Sequence, residues 1–334
     1  MPTAMHGSRA SQASQAAQAS KTTSTDASGA APRDTASASQ PGAPAASARR
    51  QRSRRELPQL GSQLFLMLLT IAFLAPVVWA VVSSFKPAVE IIRDPLGFDP
   101  SQFSVDNFGA MFGDVPLASG FLNTAVVLVL KGAITMVFAP LAGYAFAKYD
   151  FPGKNVLFGT VLLTLMLPTI VLIIPLLLEM KEFGWVNTYQ ALILPGAVDA
   201  FAIFWMRQVI SAVPDELLDA AHVDGCGEFG IFWRIVVPVI RPGLAGLAVL
   251  TVMNIYNDFV WPVVVTTSDT MQTLQVVLST LAQNISGNTI GADYATITGE
   301  LLAASSVALV PLLIVFIVLQ KHFINGILAG SVKG

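Results

Sequence analysis

The sequence predicts an all-α integral membrane protein of six transmembrane helices preceded by a disordered tail. Three observations carry that expectation. Hydrophobic residues make up 54% of the 334 and charged residues only 12%, where an ordinary soluble domain has about a quarter charged. Six apolar runs, near 64–85, 120–147, 155–180, 189–210, 243–266 and 299–320, are long enough for a helix to cross about 30 Å of hydrocarbon, which takes roughly 20 residues. None of them alternates as a barrel strand would, and a helix satisfies its own backbone groups in lipid.

Residues 1–56 are rich in Ala, Ser, Gln and Thr and show no apolar periodicity. Such a segment buries too little surface to offset its ordering entropy, so it reads as a disordered cytoplasmic tail, with the six-span domain occupying 57–334. The cluster Arg49, Arg50, Arg52, Arg54 and Arg55 stands just before the first run and marks the inner side of a membrane. Alternating the remaining loops from that start puts Lys148, Lys154, Arg207, Arg234, Arg241, Lys321 and Lys333 inside, against only Lys86, Arg93 and Lys181 outside. Both termini are then cytoplasmic, and so is the connection between runs four and five. Prolines inside the runs, at Pro76, Pro140, Pro168, Pro175, Pro195, Pro262 and Pro311, predict kinks and irregular packing. The single cysteine, Cys226, offers no disulfide framework.

The connection between runs four and five holds a polar segment, Asp219-Ala220-Ala221-His222-Val223-Asp224-Gly225, followed by Ile235-Val236-Val237-Pro238. Pro214 suits the first helical turn, Asp215 and Glu216 favour the positive end of the helix dipole, and Gly225 can take the left-handed conformation that closes a helix. A helix of about three turns over 214–225 results, with Leu217, Leu218, Ala221 and Val223 on an apolar face and Phe229, Phe232 and Trp233 soon after it. A helix lying on lipid usually has a lysine-rich polar face. This one is acidic up to Arg234, which points to a protein partner.

These residues resemble the Glu-Ala-Ala loop of the permease subunits of bacterial ATP-binding-cassette importers. Further motifs occur in the same order: Ser84-Phe85-Lys86-Pro87, Asn123-Thr124, Tyr149-Asp150-Phe151-Pro152-Gly153, Met206-Arg207-Gln208, Asn257-Asp258-Phe259 with Pro262, and a tail over 326–334. Together they are similar to the six-span subunit of the carbohydrate branch, of the maltose and glycerol-phosphate type, and cover about residues 60–334. Several spaced motifs in order are more specific than any one alone. The resemblance implies a type I importer permease fold and a bacterial inner-membrane location. It also implies a second permease subunit, two ATPase subunits that bind ATP and Mg, an extracytoplasmic sugar-binding protein docking on the loops near 86–119 and 267–298, and a sugar substrate. In that frame Asp219, Ala220, Ala221, Asp224, Gly225, Phe229 and Pro238 couple to the ATPase, and the tail after Gly330 reaches the ATPase interface. The family usually has Glu at Asp219, Arg or Lys at His222, Ala at Cys226 and Trp at Tyr256. Asp219 keeps the charge on a shorter arm, and His222 reads either as a group that titrates near neutral pH or as a solvated one.

Two charges of opposite sign, Lys131 and Asp199, fall at similar depth inside runs two and four. A charge near the bilayer centre costs at least about 2.5–3.5 kcal/mol on insertion scales, so neither should face lipid. They either pair, to fix helix packing, or face a shared watery cavity on the translocation path. Asn254, Asn257 and Asp258 in run five and Glu300 at the start of run six are further polar candidates for sugar contact, with Tyr256, Phe259 and Trp261 as neighbouring aromatic faces. The Asn-Asp-Phe sequence fits a packing role equally well.

The chain has no Gly-x-x-x-x-Gly-Lys-Ser/Thr phosphate loop, no metal-spaced His and Cys cluster and no nucleophile elbow, and it lacks a basic aromatic surface for nucleic acid. The expectation is therefore a non-catalytic subunit that binds no cofactor itself. The competing class is an ion-coupled secondary transporter relaying charge through Lys131, Asp199, Asp258 and Glu300. That reading leaves the cytoplasmic helix without a purpose.

Overall fold

The computed structural model describes residues 46–113, 116–287 and 292–331. The expected tail through residue 45, residues 114–115 and 288–291 within the two expected docking loops, and the final residues 332–334 lie outside the described residues. The chain divides into two compact units, residues 1–64 and 65–334. In the first, residues 46–64 are helical, so residues 46–56 are not coil as their tail-like composition suggested. Their Ala and Arg content is that of good helix formers.

Helix α1 (Ala46–Ser83) presents an apolar, solvent-exposed surface from Leu64 to Val78. It stops at the Ser84-Phe85-Lys86-Pro87 turn, where Pro87 caps α2 (Ala88–Arg93). α3 (Asp106–Ala110) follows, and the buried Asn107 donates from Nδ2 to the carbonyls of Ser84 at 2.9 Å and Lys86 at 2.8 Å. That one side chain satisfies two carbonyls left free by the turn.

α4 (Leu117–Lys148) is a single helix of 32 residues with Pro140 inside it, about 48 Å long at 1.5 Å per residue. α5 (Lys154–Met166) and α6 (Thr169–Glu182) bend by 105° at the Leu167-Pro168 step. Proline disfavours the helical conformation in the residue before it, and Leu167 is accordingly extended, with φ −81 and ψ 122.

The run at 189–210 is not the continuous helix its apolarity suggested. It divides into α7 (Tyr189–Ile193) and α8 (Ala200–Ser211). Pro195 lacks an N–H donor, and Gly196 takes φ +68, a conformation open to glycine. After α9 (Asp215–Val223) come α10 (Glu228–Ile231), a π-helical turn at Phe232–Val236, α11 (Val237–Val239) and α12 (Arg241–Tyr256), with an 80° bend between the α10–α11 segment and α12. Pro238 cannot donate back to the Arg234 carbonyl, and widening one turn accommodates the missing bond. The run at 243–266 is also broken, between α12 and α13 (Val260–Val265), at Asn257–Phe259. α14 (Leu274–Gly287) and α15 (Ala292–Ser331) complete the order.

Among the described residues, three helical stretches are individually long and apolar enough to cross a bilayer: 61–83, α4, and 293–318 within α15. The two bent pairs bring the number to five if each acts as one span. The expectation of six counted the divided 189–210 run as one uninterrupted helix.

Small residues set the closest helix contacts. A Cβ on Gly143 of α4 would lie 2.8 Å from both the Met206 Cβ and the Arg207 backbone nitrogen of α8, and one on Gly243 of α12 would lie 2.5 Å from Val209. Without a hydrophobic force between helices in lipid, such backbone approach is what makes dispersion contact effective. Around it a buried cluster joins Tyr144, Met206, Ile210, Leu218, Ala221, Phe232, Val236 and Leu247. The chain thereby builds α9 into the same core as α4 and α8.

Candidate functional site: a charged cavity and a fastened helix

Both helix breaks face one cavity of about 240 Å³, lined by Lys131, Thr135, Thr169, Gly196, Asp199, Thr251, Asn254, Ile255 and Asp258. Lys131 comes from the unbroken α4, Asp199 from the start of α8, and Asp258 from the gap between α12 and α13. Backbone can leave the helical form at membrane depth only where protein or a polar cavity covers it. Here specific side chains perform that cover. Thr135 Oγ1 donates to the Ala197 carbonyl at 2.5 Å, Asp199 Oδ1 accepts from the Ala202 amide at 2.6 Å, and Trp261 Nε1 donates to the Ala191 carbonyl at 2.8 Å.

Of the five residues expected near a translocation path, Lys131, Asp199, Asn254, Asn257 and Asp258, all but Asn257 are brought together here. Lys131 and Asp199 share the cavity, but no ion pair within 4.0 Å joins them among the described residues. Asp199 does not sit mid-helix as its position in the apolar run implied; it is the N-cap of α8, where a carboxylate offsets the positive end of the helix dipole. Asn257 does not reach the cavity lining; its Nδ2 donates to the Met253 carbonyl at 2.9 Å and closes α12. The aromatic faces are also committed elsewhere. Tyr256 donates to the Ala308 carbonyl at 2.5 Å, and Trp261 is buried against α7. Among the described residues no aromatic side chain lines the cavity, and Glu300, buried in α15, is not one of its lining residues. Sequence reasoning missed Thr135, Thr169, Thr251 and Gly196. The polar residues Thr251, Asn254 and Asp258, spaced by three and four, mark one helical face and carried that signal.

The second element is α9. Pro214 is its N-cap with φ −60 and ψ 135, and Asp215 and Glu216 occupy its first turn. At the other end Gly225 takes φ +79, its N–H bonds to the His222 carbonyl at 3.0 Å, and the Cys226 N–H bonds to the Ala221 carbonyl at 3.0 Å. These two bonds make a Schellman closure, as the glycine predicted. Asp219, Ala220, Asp224 and Gly225 are exposed, and Phe229 and Val223 stand out at 74% and 88% exposure. Ala221 differs from its expected place on a docking surface: it is 4% exposed and packs inward with Leu218. Pro238 is half-buried behind the π turn.

Polar contacts missed from sequence fasten this helix. Lys148 Nζ donates to the Val213 carbonyl and to Asp215 Oδ1, both at 2.6 Å. The Tyr149 hydroxyl donates to Glu228 Oε2, whose other oxygen lies 3.0 Å from His222 Nε2. The Glu228 hydrogen bond holds the His222 imidazole above its ordinary value of 6.5. Burial, and after it the bond to Glu228, pushes the Tyr149 phenol upward, so it stays a donor.

With this geometry in hand, the comparisons are specific. The family described as "Binding-protein-dependent transport system inner membrane component" matches residues 137–328. The arabinooligosaccharides transport system permease protein AraQ of Halalkalibacterium halodurans is 40% identical, over 79% of this chain and 93% of the relative. The lactose transport system permease protein LacG of Rhizobium radiobacter is 34% identical over 84% and 98%. A solved bacterial ABC transporter involved in the import of alginate has a chain that shares the fold, with a TM-score of 0.69 at 21% identity over 81% of this chain and 98% of that one. The chain belongs to the binding-protein-dependent transport inner-membrane components, and its relatives are carbohydrate-importer permeases.

Proposed function

We propose that the chain is a permease subunit of an ATP-driven sugar importer, forming half of a translocation pathway and coupling to a separate ATPase through α9. The single observation that carries this is α9 itself: its inner residues Leu218 and Ala221 are bolted into the core while Ala220, Asp224, Val223 and Phe229 are left exposed beside it. A helix so placed receives force from outside and delivers it inward. The sequence supplies no phosphate loop of its own, so the nucleotide belongs to the partner.

In this reading six spans cross the inner membrane, the divided α7 and α8 forming the fourth, with both termini and α9 cytoplasmic. ATP binding closes two ATPase subunits, each gripping one permease, and the spans rock between inward-facing and outward-facing states. A loaded sugar-binding protein docks outside on the loops near 86–119 and 267–298. The sugar then passes the cavity, whose Thr, Asn and carboxylate groups exchange hydrogen bonds with hydroxyls without an aromatic platform to retain them. Relatives named for arabinooligosaccharides and lactose favour a small oligosaccharide.

Affinity purification from native membranes tests the reading. An ATPase, a second permease and a sugar-binding protein accompany the intact chain, and Gly225→Asp loses the ATPase. An ion-coupled carrier draws on the same cavity, because Lys131, Asp199 and Asp258 converge there. Uptake abolished by an uncoupler at constant ATP would favour that carrier.

A further inference from the structure

α4 lines the cavity partway along its length and ends beside α9. Lys131 lines the cavity, while Lys148 and Tyr149, its last residue and its C-cap, meet the α9 segment. The Lys148 side chain is only 7% exposed, and its ammonium bridges Val213, just before α9, and Asp215, the first residue of α9. Tyr149 reaches Glu228 at the start of α10, and Glu228 reaches His222 in the last turn of α9. Two consecutive residues of α4 therefore hold both ends of one short helix. The Tyr144 ring packs beside them, 5.3 Å from both the Tyr149 and Phe232 rings. An exposed ion pair contributes little, as with Lys154 and its fully exposed partner Asp150. The buried Lys148 ammonium, shielded and doubly bonded, is of another kind.

We propose that Lys148 and Tyr149 are positioning residues that convert displacement of α9 into displacement of α4, and so of the cavity wall. The inference rests on the reading that α9 receives force from an ATPase.

The test uses the complex that co-purifies with the full chain, carrying Cys226→Ala and Thr251→Cys, so that a small thiol reagent reports access to the cavity. No sugar is required. With ATP added, the modification rate of Thr251→Cys changes several-fold. Tyr149→Phe keeps the ring and removes the hydroxyl; Lys148→Met keeps the stem and removes the charge. Both are expected to retain the ATPase and its hydrolysis yet lose most of the ATP-dependent rate change. Lys148→Arg restores the response, and Lys154→Ala leaves it at the native level. A full ATP response in Tyr149→Phe and Lys148→Met overturns the proposal, and so does loss of the ATPase from both variants, which would make these residues part of docking instead. If no ATPase accompanies the unsubstituted chain, the importer reading fails first and this inference with it.

Discussion

His222 Nε2 lies 3.0 Å from Glu228 Oε1, so the last turn of α9 and the first residue of α10 are joined by a pair whose charge depends on one imidazole proton. Asp219, one turn back on α9, adds to the negative field at that ring. The folded protein holds the proton more tightly than the unfolded chain does, because the His222 value is raised above 6.5. The pair's stabilisation is complete below the ordinary imidazole range and fades as pH rises through the elevated folded value. Thermal midpoints of the detergent-solubilised protein should fall, as pH rises above the ordinary imidazole value of 6.5, more steeply than in His222→Gln, which removes the titration. Identical pH profiles would show that the contact contributes nothing.

Gly225→Ala places a side chain at φ +79, which costs roughly 1–2 kcal/mol for a non-glycine residue. Gly227, two residues on, has φ −73 and open space around its Cα. Gly225→Ala should weaken ATPase co-purification, whereas Gly227→Ala should not. Equal retention in a pull-down would detach the α9 closure from docking.

Gly143→Ala is the sharper packing test. Its Cβ would meet the Arg207 amide nitrogen and the Met206 Cβ at 2.8 Å, and backbone cannot move aside as a side chain can. Overpacking of this kind costs about 1–3 kcal/mol. The variant should lose several degrees of thermal midpoint, and a midpoint equal to native would mean α4 and α8 are further apart than described.

Lys131→Met leaves Asp199 and Asp258 in the cavity without their cation. Uptake of a labelled arabino-oligosaccharide, the sugar type of one relative, should fall about tenfold or more, and adding Asp258→Asn should recover part of it by removing the unbalanced charge. Independent, additive losses would separate the two side chains functionally.

Much of α9 was legible in the sequence. Pro214, the acidic first turn and Gly225 each belong to local capping rules that need no tertiary information, and the helix begins and ends where they place it. Lys131, Asp199, Asn254 and Asp258 were legible as a group because charge and amide are costly in an apolar run wherever it folds. The helix breaks were harder. The hydropathy of 189–210 and 243–266 is that of continuous spans, and Pro195 beside Gly196 signals a kink without saying that Thr135 will supply the missing bond to Ala197. The fastening of α9 was not legible at all. Lys148 and Asp215 are 67 positions apart and Tyr149 and Glu228 are 79 apart, and each looks like an ordinary charged or polar group at a helix end. Ala221 was misplaced for a related reason: small size suits both a docking surface and a crowded core, and only the packing of Leu218 beside it decides between them.

The Gly143 contact has a mechanical consequence. It pins α4 to α8 five residues from Lys148 and twelve from Lys131, about 7.5 Å and about 18 Å along the helix at 1.5 Å per residue. Were α4 to tilt as a rigid rod about this contact, it would act as a lever with unequal arms. Such a tilt moves the Lys131 end about 2.4 times as far as the Lys148 end, so under the coupling proposed above a small displacement at α9 becomes a larger one at the cavity wall.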